Sequence, residues 1–239
     1  MDPSDPPWFP EEFRRRLHDV GALYHHTHPF HRRMNAGELS PRQIRGWAAN
    51  RFYYQRNIPN KDAAIVSNCP IREVRRIWLH RITDHDGSAE VEGSSGGIEA
   101  WLRLAEACGL SREQVLADAD VLPGVRFAVD AYVTLARSRP WPVAVASSLT
   151  ELFAPDLMAR RIEAFERYYT WVPAWGLEYF RSRVPRARSD SEEAMALTLQ
   201  FCDTRALQEE AVAALRTKCQ ILQAQLDAIQ AAYPDEEPR

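Results

Sequence analysis

Several stretches of the chain place charged or hydrogen-bonding side chains on the same side as bulky apolar ones, where a helix would turn them inward. Trp47, Arg51, Tyr54, Gln55 and Ile58 recur at offsets of four, seven, eight and eleven, so Arg51 and Gln55 fall on an apolar face. Val74, Ile77, Trp78, Arg81 and His85 share a second face, with Arg81 and His85 one turn apart. Trp175, Tyr179 and Arg183 form a third, and Leu215, Lys218 and Leu222 a fourth. A single long side chain in such a place snorkels to water. Arg51, Arg81, Arg183 and Lys218 together demand compensation, because burying an unpaired ion costs several kcal/mol. The expectation is a hollow, hydrated, cationic interior shaped for a molecule with several carboxylates, which guanidinium forks bind bidentately.

His85 is the best-placed general base. An imidazole titrates near pH ~6.5, and neighbouring cations hold it in the neutral form. Glu151, after Ser147 and Thr150, lies near the inner side of its own helix, and Tyr54, Tyr132 and Tyr179 lie near the inward polar groups. His25, His26, His28 and His31 look at first like metal or haem ligands, but no HExxH, paired ExxH or carboxylate-rich pattern accompanies them. They read as a histidine-rich helix end, and no metal is assigned. Gly93, Gly96 and Gly97 follow no strand and precede no GK[ST], so they mark a loop, not a phosphate cradle. In the run Arg181, Arg183, Arg186, Arg188 only Arg183 is turned inward, the others belonging to a solvated face and turn.

These residues need helices to carry them. Pro10 opens a first pattern, with Phe13, Leu17, Val20 and Tyr24 on one face up to the histidine run. Ser40-Pro41 supplies an N-cap and first-turn pair for the second, in which Pro59 marks a kink or break before 61–69. A third follows Pro70 and runs toward Asp86-Gly87. The glycine- and serine-rich stretch 86–97 reads as a mobile loop. Trp101, Leu104, Ala105 and Cys108 mark a helix ended by Gly109, and Ser111 to Gln114 spell a capping box for a short one. Beyond Pro123-Gly124, Val125, Val129, Tyr132 and Ala136 share a face. A helix over 143–154 closed by Pro155, segments 157–169, 173–184 and 192–201, and a long last helix from about Asp203 complete the pattern.

Composition agrees with an all-α globular protein. The 239 residues are 45% hydrophobic and 26% charged, which excludes a disordered chain, and only 10 are glycine. A net charge of −3, from 30 basic and 33 acidic residues, excludes a bulk polycation for nucleic acid. No apolar run approaches the roughly 18–20 residues of a membrane span, and no basic-then-apolar leader opens the chain. Cys69, Cys108, Cys202 and Cys219 are scattered without a C-x-x-C pair, as in a reducing compartment, so the protein is expected in the cytoplasm. With no repeat and no flexible linker, the expectation is a single domain over 1–239, ordered from about 10 to 232, with a frayed acidic tail at 234–239.

The stretches YHHTHPFH, GWAANRFYYQ, IPNKDAAI, RITDHDG, GGIEAWLRL, LPGVRFAVDAY, SSLTELFAP and YFRSR, in order from about Phe13 to the final helix, resemble the pyrroloquinoline-quinone synthase family. The resemblance implies a haem-oxygenase-like bundle of seven or more helices working as a homodimer. It implies the last step of pyrroloquinoline quinone biosynthesis: ring closure on a bicyclic quinone bearing several carboxylates, and its oxidation by O₂ with release of hydrogen peroxide. No metal or redox cofactor takes part, and other proteins of that pathway are candidate partners. Carried over motif by motif, His25, His85, Tyr179 and Arg183 are catalytic, with O₂ beside the last three. Arg51, Tyr54, Gln55, Lys61, Arg81, Tyr132, Thr150, Glu151, Arg161 and Lys218 bind substrate. The pattern departs at Met158, where the family often has a histidine, so no proton-shuttling role carries over there. Two other readings compete: a haem-degrading bundle with an N-terminal histidine as axial ligand, and a non-catalytic carrier of the quinone product.

Overall fold

Pro10, Pro29 and Pro41 each stand in the first turn of a helix, where a missing N–H leaves no hydrogen bond unmade. In the computed structural model, which describes residues 5–88 and 95–235 apart from the side chains of 184–188, these start α1 (Pro10–Asp19), α2 (Pro29–Ala36) and α3 (Pro41–Asn68). Then follow α4 (Arg72–Asp86), α5 (Gly96–Ala107), α6 (Arg112–Leu116), α7 (Pro123–Ser138) and α8 (Trp141–Ala146). The chain ends with α9 (Ala154–Tyr168), α10 (Glu178–Phe201) and α11 (Arg205–Ala232). Short 3₁₀ segments, Val20–Leu23, His25–Thr27, Ser147–Phe153 and Ala174–Leu177, link some of these, and no strand occurs among the described residues.

The organising element is α3. Ser40 accepts from the Gln43 N–H at 3.3 Å while the Gln43 side chain accepts from the Ser40 N–H at 2.9 Å, a reciprocal capping box. The helix packs against α4, α5 and α7, and α11 lies across α7, α8 and the 147–153 segment. Trp47, Trp101, Phe165 and Phe180, all buried, form an aromatic cluster where α3, α5, α9 and α10 meet. Each such ring contributes about 1.5–3 kcal/mol by leaving water.

Several expected boundaries are corrected. Pro59 neither breaks α3 nor ends it: Ile58 and Ile65 are buried on either side, and that packing outweighs a proline's helix penalty of about 3 kcal/mol. Pro155 opens α9 rather than closing the preceding helix, and 147–153 is 3₁₀ rather than α. The segments expected at 173–184 and 192–201 are one helix, α10, preceded by a 3₁₀ turn. Ser111 does occupy the N-cap of α6, but its side chain makes no capping bond. Ile77 and Trp175, expected inward, are 40% and 47% exposed.

Of the loop expected at 86–97, residues 89–94 lie outside the described residues, as do 236–239 of the tail, and Gly96 and Gly97 already belong to α5. Gly96, at φ 79°, sits so close to the end of α4 that an added Cβ would stand 2.5 Å from the His85 carbonyl oxygen. The start of α5 thus braces the turn that carries His85. Among the described residues no helix is long and apolar enough to cross a membrane. All four cysteines are buried and free.

Gly46, in the second turn of α3, lies under the ring of Tyr233 at the end of α11; a Cβ there would come within 2.4 Å of two ring carbons. Gly46→Ala therefore costs stability, about 1–3 kcal/mol by overpacking, although alanine gains helix propensity. Urea denaturation measures this. The loss should vanish in a Tyr233→Ala background, and an additive double mutant would show that the contact does not matter.

Candidate active site

The inward polar residues converge from eight elements on one region between α3, α10 and α11. Two small cavities lie there. The larger, about 60 Å³, is lined by Arg51, Tyr54, Gln55, His85, Thr150, Glu151, Tyr179 and Arg183. The smaller, about 20 Å³, is lined by His25, His31, Arg161 and Gln225, and Tyr24, Arg51, Met158 and Leu222 border both. Lys61, Arg81, Tyr132 and Lys218 lie one layer further in, buried behind Tyr54 and Glu151. The structure thus brings the predicted residues together, but corrects the expected hollow interior. Ligand pockets run to roughly 300 Å³ and more, so a bicyclic molecule fits only if lining side chains move. A surface groove of about 570 Å³ around Phe127, between α7 and α11, contains none of the predicted residues.

One half of the site is neutralised from within. Arg81, 1% exposed, donates to the Glu151 carboxylate at 2.5 Å and lies 3.6 Å from Asp190 and 3.7 Å from Asp62. Lys61 meets Asp62 at 2.5 Å and Ser148 at 3.0 Å, and the indole N–H of Trp78 donates to the same Asp62 oxygen at 2.8 Å. Arg183 contacts Asp190 at 3.2 Å and Glu151 at 3.8 Å. Burial works to raise the Asp62 and Glu151 carboxyls, but the cations prevail and hold both below the usual range. Asp190 goes the other way, raised by burial and by the charge on Glu151.

The cations of the other half rest on aromatic rings and neutral acceptors. Lys218, fully buried, donates to the Tyr54 hydroxyl at 2.8 Å and sits 3.5 Å over the Tyr132 ring. Arg51 stacks 3.8 Å over the Tyr54 ring and donates to the Gln225 side-chain carbonyl at 3.2 Å. Arg161 donates to His31 at 3.0 Å and lies 5.0 Å over Trp47. None of the three pairs with a carboxylate among the described residues. Burial, reinforced by Arg51 and Lys61, pushes the Lys218 ammonium well below its ordinary range. Burial and then Arg51 bring Arg161 down to about 10. A bound anion would reverse both.

His85 stands where the halves meet. Its Nδ1 hydrogen-bonds the Arg81 carbonyl oxygen at 3.1 Å, so Nδ1 carries the proton and the Nε2 lone pair, without a partner among the described residues, is the basic atom. Burial, then Arg183, pushes the imidazole down to about 3. Nearby, the Tyr179 hydroxyl, raised by burial and therefore protonated, donates to Gln55 at 2.9 Å. His25 is buried against Tyr24 and His31, with Nδ1 unpartnered and the ring held neutral by burial. Of its neighbours, His28 caps α2, and among the described residues no group of three metal-ligating side chains gathers.

Asp62, Ser148, Asp190 and Gln225 were not singled out from sequence, and His31 was named only among the histidines set aside as metal ligands. Asp62 lies eleven residues after Arg51 and Gln225 seven after Lys218, so both continue stripes already recognised. Asp190 was hidden by the false end of α10, and His31 by its histidine-rich context.

His25, His31 and His85 are all held neutral by burial, below the ordinary value of 6.5. The unfolded chain takes up protons first as the pH falls, so stability is complete above about pH 6.5 and declines below it. Three extra protons correspond to a limiting slope of about 4 kcal/mol per pH unit. Urea midpoints should drop steeply between pH 7 and 5; a flat profile would mean that these rings titrate normally in the fold.

The model of the TENA/THI-4/PQQC family matches residues 14–228. A pyrroloquinoline-quinone synthase of Pseudomonas aeruginosa is 56% identical over 227 residues, covering 95% of this chain and 90% of that protein. One of Cronobacter sakazakii is 54% identical over 224 residues, covering 94% and 88%. Among solved structures, a domain of unknown function with a heme oxygenase-like fold from Shewanella denitrificans superposes with a TM-score of 0.77 at 12% identity, over 95% of this chain and 94% of that one. A TenA homolog from Pseudomonas syringae gives 0.74 at 14% identity, over 97% and 96%. With its helices arranged in the haem-oxygenase-like fold and its sequence matched almost throughout, the chain belongs to the TENA/THI-4/PQQC family.

Proposed function

We propose that the chain is an enzyme of pyrroloquinoline quinone biosynthesis. It closes a ring on a bicyclic quinone bearing several carboxylates and oxidises the product with O₂, releasing hydrogen peroxide. The observation that carries this is the set of inward cations, Arg161 and Lys218 buried and Arg51 partly buried, that pair with no carboxylate among the described residues and lie about a neutral imidazole whose Nε2 has no partner among them. Names of relatives more than half identical point the same way.

The carboxylates of the substrate sit on Arg51, Arg161 and Lys218, and their charge favours the ammonium form of Lys218. Holding the amine against the quinone makes ring closure unimolecular. His85 Nε2 then removes protons from the closing ring, and the fixed Nδ1–H bond to Arg81 keeps that lone pair aimed. Lys61 and Arg81 stabilise enolate and quinol anions, with Glu151 and Asp62 holding them in place. An electron-rich quinol reduces O₂ itself, so no metal or redox cofactor is assigned. Arg183 and the Tyr179 hydroxyl stabilise and protonate the reduced oxygen. Thr150 and Gln55 complete the lining, and His25 serves the acid-free end. The protein works on this proposal as a homodimer in the cytoplasm, with other proteins of the pathway as candidate partners.

The test is anaerobic mixing with the precursor quinone followed by air, recording product absorbance, O₂ uptake and peroxide. Wild type should turn over, and His85→Gln should be slower by roughly 10²–10⁴-fold, the range for loss of a general base. Tight product binding without O₂ uptake would make the protein a carrier, and a Soret band on adding haem would favour a haem enzyme.

The pH profile tests the base separately. Because His85 is down at about 3, it is already unprotonated through neutral and mildly acidic pH. The kcat/KM profile, which reports the free enzyme, should lack an acid limb near 6.5. A limb there that disappears in His85→Gln would contradict the assignment.

A further inference from the structure

We infer that Gln225 and His31 are positioning residues that aim Arg51 and Arg161 at ligand carboxylates through neutral acceptors, leaving both guanidiniums their full charge; this rests on the polycarboxylate binding proposed above. The two halves of the site hold their arginines differently. Arg81 and Arg183 are held by carboxylates at 2.5 and 3.2 Å, which orient each guanidinium and cancel its charge together. Arg51 is held by an amide and Arg161 by an imidazole, at 3.2 and 3.0 Å. Such acceptors orient without neutralising.

Both holders are built in firmly. Gln225 and His31 are each 2% exposed. His31 Nδ1 hydrogen-bonds the His25 carbonyl oxygen at 3.1 Å, which places the proton there and leaves the Nε2 lone pair for Arg161. The third contact of Arg161, Met158 Sδ at 3.9 Å, is also uncharged. The cavity between them is bordered by buried donors without a partner among the described residues, Gln225 Nε2 and Arg161 Nε, alongside His25 Nδ1, which likewise has none among them. Buried donors left unpaired are costly, and a carboxylate is the acceptor that would satisfy them at a site where positive charge is retained.

A carboxylate in place of either holder separates aiming from charge. Gln225→Glu and His31→Glu keep an acceptor for the arginine but cancel its charge, whereas His31→Gln keeps a neutral acceptor. With pyrroloquinoline quinone as the probe and binding followed by protein fluorescence, both glutamate variants should bind roughly 10–100-fold more weakly, the loss of one charge-assisted contact, with a shallower salt dependence. His31→Gln should stay within a few-fold of wild type. A merely structural role predicts the reverse, with the glutamates tolerated; folded glutamate variants that bind like wild type would overturn the inference.

A second measurement needs neither ligand nor foldable glutamate variants. ¹⁵N spectra of wild type and Arg161→Met should show His31 neutral, protonated on Nδ1, with an Nε2 resonance that shifts when the guanidinium is removed. Protonation on Nε2, or no shift, would overturn the role of His31. Should wild type fail to bind the quinone at all, the proposed function falls, and the ¹⁵N result still decides whether His31 holds Arg161.

Discussion

The structure depends on how positive charge is kept inside a helical interior. Arg51, Lys61, Arg81, Arg161, Arg183 and Lys218 all turn inward, while Asp62, Glu151 and Asp190 are the carboxylates that reach them. Three cations are thereby balanced, and three rest on aromatic faces and neutral acceptors. An unbalanced buried ion is costly, so Arg161 and Lys218, buried with no carboxylate partner among the described residues, lower the stability of the free protein.

The division also sets the chemistry. Acids beside Arg81 and Arg183 fix those groups in place, so they do not have to reorganise when charge develops on a bound molecule. On the proposed function, the cations at the other end supply binding. His85 lies between, kept neutral by burial and by Arg183, and its single free lone pair faces the cavity. The small volume of that cavity means that a ligand must displace lining groups on entry, and their closure around it would exclude water from the reacting atoms.

The fold alone would not identify this chemistry. Structures only 12–14% identical share nearly the whole backbone arrangement, and a scaffold of packed helices tolerates many interiors. In this chain α3, α4, α10 and α11 turn a set of cations and a histidine toward one region.

Helical periodicity was enough to place Arg51, Gln55, Arg81, His85, Tyr179, Arg183 and Lys218 on buried faces, because which side of a helix is apolar is written within a few turns of chain. The family resemblance added Lys61 and Arg161. Helix ends were less legible: Pro59 lies inside α3 and Pro155 opens α9, since packing of distant elements outweighed the local signal. Pairing was not legible at all. Arg51 finds Gln225 across 174 residues and Arg161 finds His31 across 130, and no local pattern specifies such partners. Sequence by itself therefore determined a helical protein with cations turned inward, since burial follows short-range periodicity. Which cations are neutralised, and how little space remains between them, was decided only by the tertiary fold, because both depend on contacts between elements far apart in the chain.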